Sequence, residues 1–302
     1  MSLVVAGATL AIHPGALGDV LLGIPALRAL RDAGGRLTLA AQPRIAALLV
    51  ALGEADEACN FESLRLDALF AGAGDARLPA VERVVCWFGA RDPDFVRRLG
   101  AIFPRAIVAA SVSPGHDVWE HLLATVGVQS ARLDVARVSD VLIAEGRAAL
   151  DRAGSDGSRR LVVVHPGAGG VAKRWPAAAF AETLAPLVAR ADVEAVVHEG
   201  PADAEAAAGL LARLPSARRL REPALPALAG VLARCAAYIG NDSGVSHLAA
   251  AVGAPAVVLF AATNLAWRPW ARAARVLTVA IERVEAVDVR NVRGALDALL
   301  LG

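Results

Sequence analysis

One short pattern occurs twice in this chain. Near the start, Leu10-Ala11-Ile12-His13-Pro14-Gly15-Ala16 runs from an apolar strand into a glycine turn. Mid-chain, Val162-Val163-Val164-His165-Pro166-Gly167-Ala168 does the same. A buried strand that ends in a Gly-bearing turn and gives way to a helical pattern is the opening of a nucleotide-binding βαβ unit. Two such openings about 150 residues apart in a 302-residue chain predict two α/β domains of ordinary size. The expected boundaries are residues 1–154 and 159–302. The stretch Asp151-Arg152-Ala153-Gly154-Ser155-Asp156-Gly157-Ser158 is polar and Gly/Ser-rich and is read as the linker.

The rest of the second half keeps the alternation. Strands are expected at 161–165, 193–198, 236–240, 256–260 and 275–280, and helices at 176–190, 202–214, 224–234 and 244–252. Such alternation implies parallel sheets covered by helices on both faces, with ligands beyond the carboxyl ends of the strands. Two such domains facing each other across a central cleft would serve two substrates.

Bulk properties narrow the function. Net charge is +1, from 31 basic and 30 acidic residues, so no global field favours nucleic acid. Mean hydropathy is +0.49. The most apolar run, 248–262, is interrupted by Gly253 and Pro255 and falls short of a membrane span. Residues 3–12 are read as a buried strand, because the first Arg or Lys is Arg28 and a secretory signal carries its basic residues first. Cys59, Cys86 and Cys235 form no CxxC pair, which fits a reduced, cytoplasmic protein. His116 and His121 lie five apart, off a common helix face, and no metal site is expected.

Five blocks carry chemistry. In Gly15-Ala16-Leu17-Gly18-Asp19, followed by Pro25-Ala26-Leu27-Arg28-Ala29-Leu30-Arg31, the glycines admit close approach of a substrate to the backbone. Asp19 at a helix start is held as the anion, ready to accept a proton or simply to cap the helix. In Gly167-Ala168-Gly169-Gly170-Val171-Ala172-Lys173-Arg174-Trp175-Pro176, Lys173 is the only lysine of the chain. One lysine among so many arginines suggests a need for a compact ammonium, and with Arg174 it suits a diphosphate. Trp175 is expected to pack on the helix that follows. In Gly240-Asn241-Asp242-Ser243-Gly244-Val245-Ser246-His247, a strand ends in a capping turn whose helix N–H groups suit an anion.

After the strand ending at His198, one of Glu199, Asp203 and Glu205 is placed to meet ribose hydroxyls, or these residues form a solvated helix start. Thr263, Asn264, Trp267 and Trp270 follow the strand 256–260 and line the same strand ends, with the tryptophans more simply a structural clamp. Asp92-Pro93-Asp94 has DxD spacing, but in a polar loop where Pro93 sets a bend it is read as a solvated turn.

Taken together, these blocks resemble glycosyltransferase family 9, the ADP-heptose:lipopolysaccharide heptosyltransferases, over essentially the whole chain. The resemblance rests on Gly15 to Asp19 with Pro25 to Arg31, on Lys173-Arg174-Trp175-Pro176, and on Asp242-Ser243-Gly244 with His247-Leu248 and Gly253-Ala254-Pro255. It implies a GT-B fold, two Rossmann-like domains with the acceptor on the first and the nucleotide sugar on the second. It implies inversion at the anomeric carbon without a metal or other cofactor. Asp19 and Lys173 match the catalytic pair, base and phosphate partner. Gly167, Arg174, Asp203, Glu205, Asp242, Ser243, Gly244, Val245, His247 and Thr263 are the expected donor contacts; His13, Gly15 and Gly18 are the expected acceptor contacts.

The implied partners are an ADP-linked sugar and a lipid-linked saccharide, with peripheral contact at the inner membrane. Arg97-Arg98 and Arg218-Arg219-Leu220-Arg221 are the candidates for that contact, or else solvated faces. His13 replaces the family's usual arginine, and Ala261-Ala262 replace its usual Gly-Pro. Another GT-B enzyme such as a nucleotide-sugar 2-epimerase, or a non-catalytic nucleotide-sugar binding protein, is the competing reading. The last helix is expected to pack back on the N-terminal domain.

Overall fold

The computed structural model describes residues 5–72, 76–130 and 132–301. The chain forms two compact units, 1–133 and 134–302.

The first unit holds β1 (Val5–Ile12), α1 (Leu17–Leu22), α2 (Ile24–Asp32), β2 (Leu37–Ala41), α3 (Pro43–Ala51), β3 (Glu57–Asn60), α4 (Asp67–Ala71), β4 (Val81–Cys86), α5 (Pro93–Ile102), β5 (Ile107–Val108) and α6 (Val118–Thr125). Residues 3 and 4 of the expected first strand lie outside the described residues. The sheet order is β3-β2-β1-β4-β5, with every pair parallel. Ile12 pairs with Ala40 on one side and Cys86 on the other, so the first strand is central and the chain leaves it at the point where strand order reverses. Leu10, Ile12, Val84, Phe95 and Leu99 are fully buried in the core beneath it.

The second unit holds α7 (Asp140–Arg152), β6 (Arg160–His165), α8 (Ala177–Val188), β7 (Val193–Glu199), α9 (Ala204–Leu211), β8 (Arg218–Arg221), α10 (Leu225–Leu232), β9 (Ala237–Asn241), α11 (Gly244–Ala251), β10 (Ala256–Phe260), β11 (Ala274–Thr278) and α12 (Ala286–Leu301). The order is β11-β10-β9-β6-β7-β8, again all parallel. β6 sits between β7 and β9, so the second His-Pro-Gly turn also leaves a switch point. Strands buried on both faces read as continuous β-branched runs, which is why Val162-Val163-Val164 and Val257-Val258 were legible. Val289, Val292, Leu296 and Leu300 of α12 join the core of this same unit.

The boundary falls at 133/134, ahead of the expected 154–159 stretch. The reason is packing. α7 crosses α10 so closely that a Cβ on Gly146 would lie 2.6 Å from the Gly230 carbonyl carbon, and one on Gly230 would lie 1.9 Å from the Leu142 oxygen. Ala136 N–H donates to the Ala251 carbonyl at 2.7 Å. The segment read as a linker comprises the last two residues of α7 and the loop after it, inside the second unit and tied down by the Ser155 hydroxyl on Glu194.

The run Arg218-Arg219-Leu220-Arg221 forms the edge strand β8, and its three arginines are exposed. Arg218 meets Glu194 at 3.4 Å, and Arg219 and Arg221 meet Glu199 at 3.4 and 3.2 Å. The two glutamates sit buried on β7, and the charged edge blunts strand-to-strand association.

Candidate functional site

The turn after β1 is built around Asp19. Its Oδ2 accepts the Ala16 N–H at 2.9 Å, so the carboxylate reaches back over the start of α1 and satisfies a donor that the helix leaves open. A Cβ on Gly15 would lie 2.7 Å from the Asp19 Cβ and 2.8 Å from the His13 Cε1, so only glycine fits between the two side chains. Asp19 is half-buried, and Gly18 lies beside it in the first turn of α1. His13 is 3 % exposed; its Nδ1 accepts the Gly15 N–H at 3.3 Å and its ring lies 5.7 Å from that of Trp87. Burial pushes its pKa down to about 4, so the imidazole is neutral at pH 7. His13 thus supplies neither the fork nor the charge of an arginine at that position.

In the second unit, the turns after β6 and β9 meet. Lys173 closes a short 3₁₀ turn, 171–173, and its Nζ lies 2.7 Å from the Asp242 Oδ2. Asn264 Nδ2 donates to the same oxygen at 3.3 Å. Asp242 is buried, whereas the Lys173 side chain keeps 38 % of its exposure, so the ammonium is the accessible half of the pair. It also stands 6.0 Å from the centroid of the Trp267 ring. Behind the pair, His247 Nε2 lies 3.9 Å from the Asp242 Oδ1. Burial again brings the His247 pKa to about 4, with the Asp242 charge opposing and Lys173 assisting.

Ser243 caps α11, its hydroxyl accepting the Ser246 N–H at 3.3 Å. The first-turn N–H groups of Gly244 and Val245 have no intrahelical acceptor and carry the positive end of the helix dipole. Beneath them the Tyr238 hydroxyl bonds Ser246 Oγ at 2.8 Å, and a Cβ on Gly240 would fall 2.2 Å from that hydroxyl.

Asp203 fixes the glycine loop from the side. A Cβ on Gly167 would lie 2.1 Å from its Oδ1, and one on Gly200 2.6 Å from its Oδ2. Arg174 comes within 3.9 Å of this carboxylate and donates to the Ala202 carbonyl at 3.3 Å. Of the three acidic candidates at and after the end of β7, Asp203 is therefore the one at the loop. Glu199 is held by β8 arginines, and Glu205 is exposed on α9. Thr263 is exposed and lines, with Ala172, Ala261 and Ala262, a pocket of about 730 Å³ that extends to Ala280 and Asp288. The two alanines thus face open space. Trp175 is 1 % exposed and packs edge-on to Phe180 at 5.1 Å, as its core reading implied.

Three organising residues escaped the sequence reading. Asn241 accepts the Trp175 N–H at 3.0 Å and donates to the carbonyls of Pro166 at 2.9 Å and Gly167 at 3.3 Å. Tyr238 supports the α11 turn from below. His198 Nδ1 lies 3.0 Å from the His165 Nδ1, both rings buried and burial lowering the pKa of each. The Asn-Asp-Ser-Gly spacing marked the turn, but nothing local marks which carbonyls its first residue holds. In the first unit, Asp92 caps α5 by accepting the Phe95 N–H at 2.8 Å, and Asp94 pairs with Arg97 at 2.6 Å. The DxD spacing is spent on helix structure.

The chain is similar to several known proteins. Lipopolysaccharide heptosyltransferase 3 of Escherichia coli is 34% identical over 130 residues, covering 41% of this chain and 37% of that protein. Lipopolysaccharide heptosyltransferase 1 of Pseudomonas aeruginosa is 35% identical over 108 residues, covering 36% and 30%. The matches thus span about a third of those relatives' lengths. The solved structure of E. coli ADP-heptose LPS heptosyltransferase II superposes with a TM-score of 0.78 at 21% identity, covering 97% of this chain and 98% of that one, a likeness in fold. That fold is the GT-B type, two parallel-sheet α/β domains. The profile of glycosyltransferase family 9 (heptosyltransferase) matches residues 116–293, which include Lys173, Asp242 and His247 but not Asp19. Since that match takes in more than half of its length, the chain belongs to glycosyltransferase family 9, the heptosyltransferase family.

Proposed function

We propose that this protein is an inverting, metal-independent heptosyltransferase that moves heptose from ADP-heptose onto a hydroxyl of a lipopolysaccharide core. The observation that carries this reading is the Lys173–Asp242 pair, set where the turns after β6 and β9 meet and beside the start of α11. An accessible ammonium next to unpaired helix N–H groups is an arrangement suited to the charge of a departing diphosphate. The names of the curated relatives support heptose as the sugar.

The steps follow from the residues. The acceptor oxygen attacks the anomeric carbon from the face opposite the leaving group, and Asp19 takes its proton. The bond from the anomeric carbon to the diphosphate oxygen breaks, and the electron pair leaves with ADP. The sugar passes through an oxocarbenium-like state. Lys173, Arg174 and the N–H groups of Gly244 and Val245 stabilise the growing negative charge. Gly167, Asp203, Glu205, Ser243, His247 and Thr263 hold the donor, with Asp203 or Glu205 at the ribose. His13, Gly15 and Gly18 shape the acceptor side. The reaction belongs in the cytoplasm, with the lipid-linked acceptor presented at the inner membrane surface. Among the described residues, no helix is long and apolar enough to cross a membrane.

The test is transfer measured by mass spectrometry, with the configuration of the sugar read by NMR, using a panel of ADP-, GDP- and UDP-sugars and a heptose-deficient lipopolysaccharide core. Heptosyl transfer from ADP-heptose, with the α/β configuration inverted and the rate unchanged by EDTA, is the expected result. Epimerisation of the nucleotide sugar at C2 without transfer, or binding without turnover, overturns it. Strong inhibition by EDTA overturns the metal independence alone.

A further inference from the structure

The donor turns occupy the carboxyl ends of the second unit's strands. At the amino ends lies a separate recess of about 390 Å³, lined by Arg147, Arg159, Arg160 and Arg234 with Asp151 as its only acidic residue. β6 runs from Arg160 at this recess to His165 at the donor loop, and the five residue steps between them place the two about 17 Å apart. The wall is built by one face of α7, with Ile143, Gly146, Arg147, Leu150 and Asp151 at i, i+3, i+4, i+7 and i+8. The tight crossing at Gly146 and Gly230 fixes that face against α10. The Gly/Ser-rich loop after α7 adds Ser155 and Gly157 to the lining; it bends through positive φ at Gly154 and Gly157 and is anchored by Ser155 on Glu194. A segment with the composition of a linker is thus folded into the side of a pocket.

Two of the guanidinium groups are held in place. Arg159 pairs with Glu194 at 3.2 Å and donates to the Val193 carbonyl at 3.5 Å; Arg160 donates to the Leu300 carbonyl at the end of α12. Among the described residues, Arg147 and Arg234 pair with no carboxylate. With Arg159 taken up by Glu194, three guanidinium groups, those of Arg147, Arg160 and Arg234, remain in the lining against the one carboxylate of Asp151, with Leu150, Leu161 and Val231 as its apolar part. Guanidinium forks of this density match the several oxygens of a phosphate better than a single carboxylate. We infer that this recess is a second binding site, taking a phosphate-bearing molecule of small size whose non-phosphate part rests on those apolar side chains.

The site is independent of the donor turns, and the experiment separates them. Pyrophosphate is titrated calorimetrically into the full-length protein, into Lys173→Ala, and into the Arg147→Ala/Arg234→Ala double variant combined with Lys173→Ala. The Lys173→Ala protein is expected to keep a binding isotherm that the triple variant weakens by about tenfold to a hundredfold per lost guanidinium contact. Arg147→Lys/Arg234→Lys on the same background keeps the charge but not the forks and should weaken binding less. It answers the question if the alanine form unfolds. A second arm uses phosphatidylcholine vesicles with and without phosphatidic acid. Arginine-dependent pyrophosphate binding identifies a free phosphorylated ligand, and arginine-dependent binding to phosphatidic acid vesicles alone identifies a lipid headgroup. If Lys173→Ala binds neither probe, or if the arginine variants bind as well as it does, the site does not exist. Loss of heptosyl transfer in Lys173→Ala bears only on the donor turns.

Discussion

The ammonium of Lys173 rests 2.7 Å from the carboxylate of Asp242. The chain's single lysine is therefore neutralised by a buried partner before any donor arrives, and a diphosphate must share or take over that charge. Lys173→Ala should lower kcat by about 100–1,000-fold, the typical loss for one donor aimed at transition-state charge. Lys173→Arg should recover little, because a planar fork does not replace a point charge that both Asp242 and a phosphate can face. Steady-state kinetics with ADP-heptose check both. An Arg variant of near-normal kcat would refute the argument from lysine geometry.

Asp19 separates a structural from a chemical role. Asp19→Asn keeps an acceptor for the Ala16 N–H but cannot take up a proton. It should abolish transfer while the melting temperature and ADP affinity stay within error of wild type. Asp19→Ala should add a stability cost of about 0.5–2 kcal/mol for the lost cap. Denaturant titration and calorimetry with ADP read these separately.

Acid should unfold the protein through its histidines. His13 and His247 each have a folded pKa of about 4 against an ordinary value of 6.5. Between those values the unfolded chain binds more protons, so stability is full above about pH 6.5 and falls as pH drops toward 4. Each ring accounts for up to roughly 3 kcal/mol of that loss. Thermal melts from pH 7.5 to 4.5 should show the decline, and His247→Gln should flatten it. An unchanged slope in that variant would show that His247 is solvated.

Glycines of the second unit should divide by what lies against them. Gly230→Ala meets the Leu142 carbonyl at 1.9 Å and Gly240→Ala the Tyr238 hydroxyl at 2.2 Å, so each should cost about 1–3 kcal/mol or more. Gly169→Ala meets nothing within 4 Å and should leave the melting temperature unchanged, while a donor phosphate approaching that backbone makes it raise KM. Parallel melts and kinetics of the three variants distinguish packing from ligand access.

The repeated strand-turn-helix openings were readable because each is contiguous and both lie at switch points, where chemistry concentrates in such sheets. The strands of the second half were readable for the same reason, as continuous β-branched runs. What escaped depends on pairs distant in sequence. Arg218-Arg219-Leu220-Arg221 is the exposed run its charge implies, but only the fold shows that β7 supplies Glu194 and Glu199 as its partners. The Gly/Ser-rich segment after Arg152 looks like a linker until Glu194 captures Ser155. The domain boundary moved because glycines 146 and 230, unremarkable in sequence, allow two helices to touch. Asp203 was one of three acidic candidates, and only the contact of its carboxylate with Gly167 singles it out.

Asn241 grips three backbone groups belonging to two segments some seventy residues away along the chain. The glycine-rich loop and the capping turn therefore behave as one mechanical part. Anyone exchanging the loop 167–175 for that of another enzyme, to change the sugar it accepts, must carry the amide at 241 along with it. Transplanted without that amide, the loop would lose its seat, and the hybrid would be judged inactive for a reason unrelated to its sugar preference.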